Sequence, residues 1–194
     1  FIKFVNILSS RSGTILNKSS LSRDIGIKDV TTDNYLSIIS RIYQVTLLKP
    51  YFVNIGKQFI KSPKLFFNDT GVLCSLLKIN TKEKLLSSPY SGQIFETYIF
   101  CELQKHLSYL KESATMYHYR TSDKKEIDFI VEVNDQLIAI EVKQSRSVKK
   151  DDFKHIIDLQ NRYKKSCLGV LFYNGETVME FNKNLVAIPF GIFL

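Results

Sequence analysis

Apolar residues are spaced for helices in the first quarter of the chain and for strands across much of its second half. Residues 2–10 carry Ile2, Val5 and Leu8 at helical intervals, and Gly13 closes the run. Residues 17–27 read as a short helix capped by Ser19 or Ser20 and stopped by Gly26. Residues 29–43 form another capped helix, with Leu36, Ile39 and Tyr43 facing inward. Two helices joined by a glycine-containing turn after a first helix make the helix-turn-helix pattern. Residues 44–54 follow with β-type alternation around Pro50, which suits a wing or an edge strand. Residues 1–60 are therefore expected to form a winged helix-turn-helix.

A connector is expected over residues 61–90. Residues 56–70 are basic and aromatic and end in a short strand, Lys64-Leu65-Phe66-Phe67. Lys57, Lys61 and Lys64 either follow a phosphate backbone or form a solvated edge, and residues 73–89 read as a helix and a loop. At Ser91 a longer helix begins, with Ile94, Phe95, Tyr98, Ile99, Leu103 and Leu107 as its apolar stripe. Strands are expected at 114–120, 126–133 and 136–143, a capped helix at 151–164, a strand at 167–173 and two more strands toward the end. The run at 167–173 is apolar throughout, as in a strand covered on both faces after a crossover. Residues 91–194 thus read as an α/β domain, a mixed sheet flanked by helices.

Between the strands at 126–133 and 136–143 lie only Asn134 and Asp135, which suit a two-residue hairpin turn. That turn pairs Val133 with Gln136, and so places Asp128 opposite Glu141 and Glu126 opposite Lys143. Side chains alternate, so these four share one face, while Ile127, Phe129, Val131, Ile138, Ile140 and Val142 form an apolar face opposite. Two carboxylates facing one another repel unless a proton or a cation lies between them. Oxygen donors at this spacing suit Mg²⁺ or Mn²⁺, and a neighbouring lysine can orient water or stabilise charge on a phosphate. The bland alternative is an exposed Glu–Lys ladder at the end of the sheet.

Charge adds a possible partner. Of the net +8, residues 1–64 hold +7, with ten Lys and Arg against three Asp. A basic N-terminal module faces polyanions, so DNA is an expected partner, with Lys28, Thr31, Thr32, Asn34, Arg41 and Lys57 as candidate contacts. A winged helix used only as a protein spacer is the alternative. Three scattered cysteines offer neither a disulfide framework nor a zinc ribbon, which fits a reducing, cytoplasmic setting. The apolar runs are too short for a membrane helix, and no membrane partner is expected. His106, His118 and His155 lack metal-ligand spacing and are expected to be structural. The chain opens on Phe1 in what reads as mid-helix, as expected for part of a longer protein. Nothing in the sequence speaks to oligomeric state.

Asp128 followed by Glu141-Val142-Lys143, on a hairpin between two helices, resembles the signature of the PD-(D/E)XK restriction-endonuclease-like superfamily. The proline common before the aspartate is replaced by Ile127. The resemblance implies metal-dependent DNA cleavage, with Lys143 catalytic, Asp128 and Glu141 as ligands, Glu96 on the preceding helix as a third ligand and Gln160 as an accessory residue. A wider set of motifs is similar to the C-terminal region of a prokaryotic AAA-type ATPase family, which joins a winged helix to a nuclease-like domain of unknown function. That set includes Leu21-Ser22-Arg23-Asp24-Ile25-Gly26, Lys61-Ser62-Pro63-Lys64, Asp69-Thr70-Gly71, Phe95-Glu96, Tyr119-Arg120, Glu126-Ile127-Asp128-Phe129 and Glu141-Val142-Lys143. It implies an ATPase domain elsewhere in the same protein, because this chain has no G-x-x-x-x-G-K-S/T match. Arg120 either contacts phosphate or pairs with Glu126. A non-catalytic DNA-binding or protein-interaction module serving the ATPase is the alternative function.

Overall fold

The computed structural model describes residues 1–52, 61–162 and 166–193. The predicted contact Lys57, and the ends predicted for the wing strand (53–54) and for the helix at 151–164 (163–164), lie outside these. The chain divides into two compact units, residues 1–48 with 62–101, and residues 49–61 with 102–194.

In the first unit, helix α1 (Ile2–Ser9) precedes strand β1 (Thr14–Ile15), helices α2 (Lys18–Ile25) and α3 (Asp29–Arg41), and strand β2 (Val45–Leu48). Strand β3 (Lys64–Phe67) then takes the centre of a three-stranded antiparallel sheet in the order β1-β3-β2. Asn17, not Ser19 or Ser20, caps α2, accepting a hydrogen bond from the Ser20 N–H. Gly26 ends α2 at φ +80°, where only glycine is unstrained. Leu36 and Ile39 enter the core, but Tyr43 is 82% exposed, because it lies past the end of α3 in left-handed backbone. The short strand expected at the end of the basic segment is β3, and the stretch read as a helix and a loop carries two helices, α4 (Thr70–Leu76) and α5 (Lys82–Ser87). Every β3 side chain is buried, Lys64 included.

Helix α6 (Ser91–Ser108) runs through the division of the chain after Cys101. The second unit holds strands β4 (Ala114–Arg120), β5 (Glu126–Val133), β6 (Gln136–Lys143), β7 (Cys167–Tyr173), β8 (Met179–Asn182) and β9 (Leu185–Pro189). They form a six-stranded mixed sheet in the order β4-β5-β6-β7-β9-β8, with β6, β7 and β9 parallel. The β6–β7 crossover is a 3₁₀ turn at Lys150–Phe153 leading into helix α7 (Lys154–Arg162), as parallel neighbours require. Phe153, Ile156 and Leu159 cover one face of the sheet at Ile130, Leu137, Ala139, Leu171 and Leu185. On the C-terminal turn, Phe193 packs on Phe172 and on His106 of α6. At the β4 edge, His118 donates its N–H to the Lys49 carbonyl at 3.0 Å and accepts the Tyr51 N–H at 2.7 Å. The segment after β2 thus covers an edge strand that would otherwise be open. None of Cys74, Cys101 and Cys167 is in a disulfide, and burial pushes the Cys167 thiol up to about 11. Among the described residues no helix is long and apolar enough to cross a membrane.

Candidate active-site cleft

The hairpin turn forms as its residues dictate. Asn134 and Asp135 both take positive φ (48° and 61°), as a type I′ turn demands. From there β5 and β6 pair in register from Val133–Gln136 to Phe129–Ile140, where the ladder stops. Asp128 is therefore not cross-strand paired with Glu141. Two local features explain the divergence.

The first is a bulge. Tyr117 pairs with Ile130 but Tyr119 with Ile127, so β5 spends Asp128 and Phe129 against the single residue His118. A bulge interrupts strict alternation and re-aims side chains. Ile127 accordingly packs in the α7-side core with Ile130 and Ala139, rather than on the opposite face with Phe129. The second is a substitution of acceptors. The Val142 N–H, which the hairpin register would give to a β5 carbonyl, donates to Asp128 Oδ2 at 2.9 Å. The carboxylate thus stands in for the missing ladder partner and is fixed by backbone.

Beyond this fork, Asp128, Glu126, Glu141 and Lys143 line one open cleft of about 560 Å³ with Lys149, Asp151, Asp152, Lys154 and His155. The four residues placed together by alternation do share a site, but through divergence of the strands rather than direct pairing. Its other wall comes from the 3₁₀ turn and the start of α7, which the sequence reading did not connect with the hairpin. A signal was present: Lys149, Lys150 and Lys154 bracket Asp151 and Asp152 directly before a helix. His155, expected to be structural, lines the cleft, and burial, helped by Lys154 and Lys125, holds its pKa below the ordinary value.

Lys143 Nζ lies 3.0 Å from Asp152 Oδ1. Asp152 Oδ2 accepts the Lys149 N–H at 2.9 Å. Burial alone would raise the Asp152 pKa, but these hydrogen bonds and the lysine charges outweigh it and lower the value. Arg120 forms the ion pair with Glu126, at 3.2 Å.

Glu96, offered as a third ligand, lies in the first unit with Lys64 Nζ 2.7 Å from its Oε1. Lys64 is 2% exposed, so this carboxylate already neutralises a buried cation. Gln160 donates to the carbonyls of Cys167 and Asn184 at 3.0 and 3.2 Å, tying α7 to the start of β7. Cys167 pairs with Leu137 and Tyr173 with Lys143, so Gln160 holds the opposite end of β7 from the cleft, roughly 20 Å away along the strand. Among the described residues no group of three or more His, Cys, Asp or Glu side chains is gathered to hold a metal ion.

Of the candidate DNA contacts, Lys28, Asn34 and Arg41 are exposed and Thr31 is half-buried. Thr32 is fully buried, its Oγ1 hydrogen-bonded to Ser22 Oγ at 2.8 Å, so it joins α2 to α3 instead of facing a ligand.

Residues 1–83 match the model of a domain of unknown function, DUF8612. Uncharacterized proteins of Mycobacterium bovis and Mycobacterium tuberculosis are each 28% identical over 185 residues. The match covers 94% of this chain but 40% of each relative, so the chain spans less than half the length of the curated proteins it resembles. No solved structure matches. Residues 91–193, from the first turn of α6 to the last described residue, match the domain of unknown function DUF4143, and the chain belongs to that family.

Proposed function

We propose that this chain is the DNA-associated part of a AAA-type ATPase and that its second unit carries a PD-(D/E)XK-type, metal-dependent deoxyribonuclease site. The observation that carries the proposal is the fork at Asp128, which brings two carboxylates and Lys143 onto one cleft with a lysine-bearing wall. Asp128 and Glu141 would hold a Mg²⁺ or Mn²⁺ ion. Two carboxylates suffice in principle, because Mg²⁺ keeps several waters and takes its remaining ligands from substrate phosphate. Such an ion activates water and neutralises charge on the phosphate. Lys143 is placed to orient the attacking water or stabilise the developing charge, and Lys149 and Lys154 to receive the flanking phosphates.

In the first unit, support for a winged helix-turn-helix comes from the order α1-β1-α2-α3-β2-β3 and the strand order β1-β3-β2. DNA contact there falls to Lys28, Asn34 and Arg41, with the ATPase in the part of the protein beyond this stretch. A second reading has its own observation. The exposed surface of α3 and its C-terminal end also carries Val30, Ile38 and Ile42, each about half exposed or more, which favours protein docking over a groove in DNA.

The test is an assay of plasmid and branched DNA with Mg²⁺ or Mn²⁺, comparing the wild type with Asp128→Ala and Lys143→Ala. Cleavage that both variants abolish supports the nuclease. An inert wild type whose melting temperature does not rise with either ion sinks it.

A further inference from the structure

We propose that Asp152 is a positioning residue for Lys143, holding its ammonium within the cleft that Asp128 and Glu141 line. Its catalytic meaning rests on the nuclease reading above; its geometry does not. Lys143 ends β6 beyond the point where β5 has parted from it, and only β7 remains alongside, through Tyr173. A lysine there, 42% exposed on a flexible stem, has many rotamers open to it. Asp152 narrows them. Its two oxygens have separate tasks: Oδ2 is held by the Lys149 N–H, and Oδ1 meets Lys143 Nζ. At 15% exposure the carboxylate is shielded from competing water. The anchor is thus a side chain locked to backbone, which transmits the position of the 3₁₀ turn to the end of β6. Asp128 is fixed in the same manner by the Val142 N–H. Two of the cleft's charged groups are oriented by backbone before any ligand arrives, as preorganised sites require.

A residue that merely capped the turn would behave differently under substitution. Asparagine retains an oxygen for the Lys149 N–H but loses the negative charge facing Lys143. Asp152→Asn therefore separates capping from positioning, and Asp152→Ser, which also keeps a capping oxygen, serves if the asparagine variant folds poorly.

The experiment uses the full chain with ¹⁵N-labelled lysine. In the wild type, a slowly exchanging Nζ–H₃ resonance is expected for Lys143, identified by its loss in Lys143→Arg. In Asp152→Asn it should broaden into fast exchange in a protein that still folds and melts cooperatively, its melting temperature lowered only by the loss of one charged contact. An unchanged Lys143 resonance in a folded Asp152→Asn protein overturns the proposal. In the DNA assay the same variant should lower kcat by about 10- to 100-fold with KM near wild type. Unaltered kcat in an active enzyme also overturns it. An inert wild type whose Lys143 signal still depends on Asp152 removes the nuclease reading and leaves the positioning intact.

Discussion

Lys64 and Glu96 look like separate functional groups when read along the chain, one a connector lysine and the other a metal ligand. In the fold they are one buried ion pair, 2% and 14% exposed. Removing one partner takes away a charge that compensates the other where little water reaches. Glu96→Ala should cost about 3–5 kcal/mol, and pairing it with Lys64→Met should recover much of that loss. Urea unfolding measures both; a Glu96→Ala protein as stable as wild type would contradict the buried pair. Asp152 makes a pH-dependent prediction. Its pKa is lowered in the fold, so its stabilising contribution is full above the ordinary carboxylate range and is lost as pH falls below that range through the lowered pKa. The stability difference between wild type and Asp152→Asn should be full at pH 6 and shrink toward pH 3. A gap independent of pH would deny the charged contact.

Helix α7 reaches the sheet closely because β7 has a glycine beneath it. A Cβ at Gly169 would stand 2.5 Å from Leu185 Cδ2 and 2.6 Å from Ile156 Cγ2. Gly169→Ala should therefore push α7 and β9 away from β7 and cost about 1–3 kcal/mol, read as a lower urea midpoint. Because α7 also carries the basic wall of the cleft, the same variant should disturb the Lys143 contact with Asp152. At the other edge, Tyr51 packs its ring on Tyr117, 5.5 Å between centroids, beside the backbone bonds to His118. That clamp joins a segment read as a wing to the sheet of the second unit. The helical periods were legible because each helix buries one stripe, and the strands β3 and β7, buried on both faces, were legible as short continuous apolar runs. The clamp was not, since Pro50 and His118 lie 68 positions apart and nothing local marks their meeting.

At the scale of the molecule, the charge is polarised, with nearly all the excess in the first 64 residues. If the first unit binds DNA, affinity should fall steeply between about 50 and 200 mM salt, and Lys28→Ala with Arg41→Ala should reduce the salt slope by roughly two. Fluorescence anisotropy on a labelled duplex checks this; a flat salt response would shift weight to protein docking through Val30 and Ile38.

The sequence by itself determined the types of the longer elements, the Asn134–Asp135 turn, the mixed sheet with its crossover, and the gathering of Asp128, Glu141 and Lys143 at one end of a hairpin. These follow from short-range periodicity, turn chemistry and the need to bury apolar faces. Only the tertiary structure decided that β5 bulges at Asp128, that the ladder ends at Phe129–Ile140, and that Lys143 answers to Asp152. It also decided that Thr32, Glu96 and Gln160 serve packing, a buried pair and a strand tie. The reason is physical: spacing sets which face a side chain occupies, but its partner comes from whichever distant segment the core brings to that face.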